Sequence, residues 1–141
     1  VKHRIIEEIG LIEISNPPVN AISAGVRIGL LETIENLSLN EKIKAIVITA
    51  PERTFLAGAD IKEFGKKVDA PILGKICDKI ESLNKIVVAS LHGTPLGGGL
   101  EVAMSAHYRI AAPNTKVGLP EVLLGILPGA GGTQTSKVMW C

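Results

Sequence analysis

The sequence is poor in the residues that build many cores and many reactive centres. Cys77 and Cys141 are its two cysteines, too few and too far apart for a disulfide framework, which points to a reducing compartment. Aromatic side chains are limited to Phe55, Phe64, Tyr108 and Trp140, so the core must be made from Ile, Leu, Val and Ala. Neither sign of charge is in excess. Fifteen basic and 14 acidic residues leave a formal net charge of +1, which excludes a general electrostatic attraction to nucleic acid or an anionic membrane. Any anionic ligand must be caught locally. The longest uncharged stretches, 86–100 and 122–136, are broken by Gly and Pro and fall short of the roughly 20 apolar residues needed to span a bilayer. No basic-then-apolar signal segment opens the chain, so a soluble intracellular protein without membrane insertion is expected. His3, His92 and His107 lack His-Glu-x-x-His or Cys-paired spacing, so no metal site is expected. His92, just after an apolar run, reads as a packed or capping residue.

The 141 residues, 46% of them hydrophobic, suit about one globular domain, and the chain from Val1 to Cys141 reads as a fragment of a longer protein. Its 15 glycines and 8 prolines crowd into 93–99 and 118–132, where the backbone must turn tightly or approach something closely. Ile5 to Glu8 and Leu11 to Ser15 alternate apolar and polar residues around Gly10, which predicts a hairpin or a bent strand pair. Ser23 can cap a helix whose apolar face is Val26, Leu30, Ile34 and Leu37. Ala45 to Ile48 is a continuous apolar run suited to a strand covered on both faces. After a long loop, Ile72, Ile76, Ile80 and Leu83 share one side of a second helix. A strand over 86–91, a Gly-rich turn, a helix from about Gly98 to Ser105 and a strand over 108–111 follow. The alternation predicts an α/β fold of βαβ units with ligands at the carboxyl ends of the strands.

The Gly-rich turns do not match phosphate-binding patterns. Gly97-x-Gly99 needs a third glycine at 102 and meets Val102; Gly129-x-Gly131 needs one at 134 and meets Gln134. Neither run is followed by the Lys-Ser/Thr pair of a P-loop, and no Gly-x-Ser-x-Gly elbow presents a nucleophile. What remains is a different constellation. In 91–101 an apolar strand turns through glycines into a helix whose first-turn N–H groups are unpaired, and the absence of Cβ atoms at 97–99 lets a substrate reach them. Such a site favours a developing oxyanion. Close helix–strand packing through glycines accounts for the same residues, with Glu101 as a first-turn charge. The N–H of Ala59, in Phe55-Leu-Ala-Gly-Ala-Asp-Ile-Lys62, offers a second donor, and Lys62, Lys66 and Lys67 follow within reach of ligand phosphates. Glu121 is embedded in the otherwise apolar run 118–129, and Glu is seldom buried unless paired or functional. Two carboxylates and two backbone donors make an acid–base site around a carbonyl.

Taken together, Asn16-Pro-Pro-Val-Asn-Ala21, Phe55-Leu-Ala-Gly-Ala-Asp-Ile-Lys-Glu-Phe64, Gly97-Gly-Gly-Leu-Glu101 and the run from Leu119 to Gln134 resemble the crotonase (enoyl-CoA hydratase/isomerase) superfamily. The hydratase half of the multifunctional β-oxidation enzymes is the nearest pattern, and the spacing of Glu101 and Glu121 fits it. The resemblance implies a crotonase-like ββα-superhelix core in which residues 1–141 are a partial domain without the family's C-terminal helical region. It implies that Ala59 and Gly98 N–H bind the thioester oxygen of an acyl-CoA and that Glu101 and Glu121 hold a water between them. Glu101 helps that water attack Cβ, and Glu121 supplies a proton to Cα. Gly129 corresponds to a water-positioning backbone, and Val19, Ala21, Gly58, Asp60, Ile61, Lys62 and Gly97 fall where the family contacts its substrate. No cofactor is implied, since CoA is part of the substrate, and the full-length protein is compatible with an oligomer or a fused dehydrogenase domain. The compartment implied is a peroxisome or mitochondrion in a eukaryote and the cytoplasm in a bacterium. The expected reaction is hydration of a 2-trans-enoyl-CoA to the 3-hydroxyacyl-CoA. Δ3,Δ2-enoyl-CoA isomerisation and an inactive truncated chain that still binds acyl-CoA are the alternatives.

Overall fold

The computed structural model describes residues 1–63 and 65–133. Phe64, Gln134 and the segment Thr135 to Cys141, Trp140 included, lie outside the described residues. Five strands form one sheet in sequence order: β1 (Lys2–Ile6), β2 (Ile9–Glu13), β3 (Ala45–Thr49), β4 (Ile86–Leu91) and β5 (Tyr108–Ala111). β1 and β2 are antiparallel, and every later pair is parallel. Parallel neighbours need crossovers. These are supplied by α1 (Ala24–Leu39), by a loop with α2 (Leu73–Glu81), and by α3 (Gly98–Ser105).

The expected hairpin forms, but Gly10 is not its turn. Glu7 takes the left-handed φ of 54°, and Gly10 sits inside β2, where a Cβ would lie 2.8 Å from Leu37 Cδ1. Its missing side chain therefore admits α1 rather than bending the strand. Ser23 caps α1 by accepting the Val26 N–H at 3.5 Å, and Val26, Leu30, Ile34 and Leu37 are all buried, as their spacing predicts. β3 departs from expectation: Ile46 and Ile48 are fully buried, whereas Ala45, Val47 and Thr49 are only half-buried. One face of the sheet, with Ile12, Ile46, Ile48, Val87 and Ala89, joins Leu30, Ile34, Ile76 and Ile80 in a single core. Each Ile, Leu or Val among them contributes about 1.5–3 kcal/mol on burial. The second helix is shorter than its apolar spacing suggested. Ile72 is its N-cap and is 67% exposed, and Leu83 lies beyond its end.

The loops after β3 and β4 leave the same end of two adjacent parallel strands. They meet above it, as strand polarity in an open α/β sheet requires of a ligand site.

Candidate active site

After β3, Phe55 and Leu56 are fully buried and fix the loop to the core. The next residues pair with the segment before α1. Ala57 N–H donates to Asn20 O at 3.1 Å, Ile22 N–H to Gly58 O at 2.8 Å and Asp60 N–H to Ile22 O at 3.4 Å. Parallel pairing to Ile22 uses groups of residues 58 and 60, so the N–H of Ala59 between them is turned away from that ladder. Across from it, the loop after β4 is held by Leu96 N–H to Leu56 O (3.3 Å) and Gly97 N–H to Gly118 O (2.9 Å). Gly97 has φ 51° and ψ −127°, a conformation that requires glycine, and it starts α3. The first-turn N–H of Gly98 has no carbonyl one turn back to accept it. A Cβ at Gly98 would lie 3.7 Å from Ala59 N, so the two residues adjoin.

The packing reading of this turn holds at Gly99. A Cβ at Gly99 would fall 2.1 Å from Leu56 O, so Gly99 is there for close packing. A Cβ at Gly98 meets chiefly the tip of Leu73, at 2.6 Å. The far end of α3 is also held: Arg109 Nη1 donates to Ala103 O, Met104 O and Ala106 O at 3.3, 3.1 and 2.6 Å. A cation at a helix C-terminus opposes the dipole's negative end, while burial pushes the guanidinium pKa down.

Glu101, 4% exposed, rises from the first turn of α3, and its Oε1 accepts the N–H groups of Ala130 (2.7 Å) and Gly132 (2.9 Å). That oxygen is an acceptor twice over. Glu121, 9% exposed, sits in a 3-10 turn, Pro120–Leu124, begun by a proline and ended by Gly125 in the left-handed region. Its Oε1 would lie 3.1 Å from a Cβ at Gly97, so this glycine also makes room for the carboxylate. Its Oε2 is buried and has no hydrogen-bond partner among the described residues.

Both carboxylates face one cavity of about 390 Å³. Its wall also contains Gly58, Ala59, Ile61, Gly97, Gly98 and Gly129. Val19, Ala21, Asp60 and Lys62 are not in that wall. Val19 and Lys62 are exposed, Ala21 is half-buried in the turn before α1, and Asp60 accepts the Lys62 N–H at 3.0 Å. Asp60 and Lys66 line a second hollow of about 310 Å³ alongside, with Ala59 on the border of both. Gly129 borders the cavity, but the amides that grip Glu101 are those of Ala130 and Gly132. His92 is a packing residue as read: its Nε2 is 2.7 Å from Glu52 O and pins the loop after β3.

Sequence reasoning missed the apolar wall made by Ile72, Leu73, Leu124, Ile126 and Leu127. Its signal was present in 122–127, where apolar residues follow one another without helical spacing. Asn20 was also missed as an individual residue. It is wholly buried at φ 57° and bonded through every polar atom of its side chain. Cys77, buried under α3, is pushed up to about 12 by burial, against a lowering hydrogen bond from Ser105 and with a smaller raising effect of the Glu101 charge. Among the described residues there is no cluster of three metal-ligating side chains, and no helix is long and apolar enough to cross a membrane.

Ala59, Gly98 and two buried carboxylates, Glu101 and Glu121, thus line one largely apolar cavity at the ends of parallel strands. The profile of the enoyl-CoA hydratase/isomerase family matches residues 4–138, and the chain belongs to that family. It is 48% identical over 126 residues to the peroxisomal bifunctional enzyme of Danio rerio, covering 89% of this chain and 18% of the relative. The glyoxysomal fatty acid beta-oxidation multifunctional protein MFP-a of Cucumis sativus is 42% identical over 147 residues, covering 94% and 20%. The crystal structure of an enoyl-CoA hydratase subunit from Geobacillus kaustophilus superposes with a TM-score of 0.86 at 36% identity, over 95% of this chain and 54% of that one. The fold is thus the crotonase α/β fold over about half the length of such hydratases. The chain spans about a fifth of the multifunctional relatives.

Proposed function

We propose that the chain carries the hydratase chemistry of its family, adding water across the 2-trans double bond of an enoyl-CoA thioester to give the 3-hydroxyacyl-CoA. The observation that carries this reading is the presence of Glu101, Glu121, Ala59 and Gly98 on one cavity. The thioester oxygen accepts the N–H groups of Ala59 and Gly98, which take up the negative charge that develops when Cβ is attacked. Each donor is worth about 10² to 10³ in rate in comparable oxyanion sites. Glu101, with Oε1 committed to two amides, receives a proton from the attacking water through Oε2 as the oxygen bonds to Cβ. Glu121, whose Oε2 has no partner among the described residues, enters the step carrying a proton and delivers it to Cα, and the proton left on Glu101 then passes back to Glu121 through water to close the cycle. Water is consumed, one C–O and one C–H bond form, and no redox cofactor is needed. Such positioned acid–base groups contribute roughly 10² to 10⁴.

Δ3,Δ2-isomerisation needs a base that shuttles one proton and no attacking water, so a second buried carboxylate favours hydration. Fatty-acid β-oxidation, named for the cucumber relative, is the metabolic setting we propose. Val19, Ala21, Asp60 and Lys62, outside the cavity wall, are assigned to the CoA moiety rather than to the reacting carbons. The test is hydration of crotonyl-CoA by the chain, with Glu101→Gln and Glu121→Gln as controls. Hydration well above both variants is expected. Equal rates would leave a protein that only binds acyl-CoA, and preference for a 3-enoyl-CoA would replace hydratase with isomerase.

A further inference from the structure

We infer that Asn20 is the positioning residue for the Ala59 amide, an inference that rests on the oxyanion site proposed above. The Ala59 N–H can serve as a donor only if residues 57–60 keep their register against residues 20–22, and three of the bonds that set this register involve backbone groups of Asn20, Ile22 and Gly58. The side chain of Asn20 locks both halves of that pairing. Its Oδ1 accepts the Asn16 N–H at 2.8 Å, closing the turn before α1. Its Nδ2 donates to Ile14 O at 3.2 Å, to Thr54 O at 3.3 Å and to Phe55 O. Two hydrogens are thus shared among three carbonyls from two loops. The backbone carbonyl of the same residue accepts the Ala57 N–H at 3.1 Å, two residues before Ala59.

The chemistry suits asparagine. The position needs a positive φ, at which Asn is among the few tolerant residues, and it needs a neutral group that both accepts and donates. Asp meets the first demand and fails the second, because a carboxylate would face three carbonyl oxygens. Glycine keeps the φ and loses every side-chain bond. Asn20 is completely buried and not in the cavity wall, so it acts only through the loop it holds.

The experiment uses the intact chain with an unreactive dienoyl-CoA, whose thioester C=O stretch moves to lower frequency when the oxygen is hydrogen-bonded. Wild type and Asn20→Gly are compared by that shift, by kcat and KM on crotonyl-CoA, and by Tm. In the glycine variant the C=O shift is expected to fall by at least half and kcat by 10- to 100-fold, with KM within about threefold of wild type. A residue needed merely for folding would lower Tm and active fraction but leave the C=O frequency of the bound ligand unchanged, and that result overturns the inference. Should Asn20→Gly not fold, Asn20→Ser keeps a short donor, and an unaltered C=O shift in it is equally fatal. If wild type itself neither shifts the C=O band nor hydrates crotonyl-CoA, the proposed function fails first and takes this inference with it. A shift in wild type retained in both variants removes the role of Asn20 alone.

Discussion

The two sides of the cavity are built differently. The side made by residues 92–105 and 54–60 is packed into the core: Phe55, Leu56 and Val102 are fully buried, and the glycines there have neighbours within van der Waals reach. The side made by residues 118–133 is open. Leu123 is 83% exposed, Val122, Leu124 and Leu127 are largely exposed, and Gly125 and Gly129 have nothing within 4 Å of a notional Cβ. That segment is tied to the packed side by Ala130 and Gly132 on Glu101 and by the Leu96–Gly118 bridge. The proposed oxyanion donors, Ala59 and Gly98, thus stand on the packed half. Glu101 and Glu121 stand one on each side, so under the proposed function the core preorganises the electrostatic stabilisation while the attacking water would be held across a seam.

The largest expected break comes from Gly99→Ala. A methyl group 2.1 Å from Leu56 O forces backbone to move, and the overpacking should cost about 3 kcal/mol, read as a fall in Tm of about 10 °C. Its neighbour separates activity from stability. In Gly98→Ala the new carbon pushes only the end of Leu73 but crowds the amide, so kcat/KM on crotonyl-CoA should drop about 10²-fold while stability falls by about 1 kcal/mol. Equal losses of Tm in the two variants would erase the distinction between packing and access.

In the core beneath the packed side, Cys77 of α2 should resist alkylation. The thiolate is the reactive form, and with the pKa raised to about 12 the group stays protonated from pH 7 to 9. Peptide mapping after iodoacetamide should find Cys77 unmodified in the native protein and modified after unfolding. The smallest effects belong to the open side: Gly129→Ala and Leu123→Ser should each change stability by no more than about 0.5 kcal/mol in denaturant titration. A loss of several kcal/mol at Leu123 would mean that this flank is as tightly packed as the other.

What could be read from the sequence follows the range of the forces involved. The Ser23 cap and the α1 face are local, spaced at three and four residues, and both were legible. Gly10 was not, because the reason for it, Leu37, lies in another element. Ile72 has the spacing of a core residue but stands before the helix, where it lines the cavity and is 67% exposed. Glu101 and Glu121 stood out because a carboxylate among glycines or leucines needs a reason, and the fold brings them to one cavity. The grip on Glu101 by Ala130 and Gly132, and the bonds from Asn20 to residues 34 and 35 positions away, join a side chain to distant backbone groups that no residue type announces.

A crystal structure of the chain with an unreactive acyl-CoA bound tests the central claim most directly. The account predicts the thioester oxygen about 2.7–3.1 Å from both Ala59 N and Gly98 N, with Glu101 and Glu121 flanking the α and β carbons. A thioester oxygen turned away from those amides, or α and β carbons out of reach of either carboxylate, would contradict it.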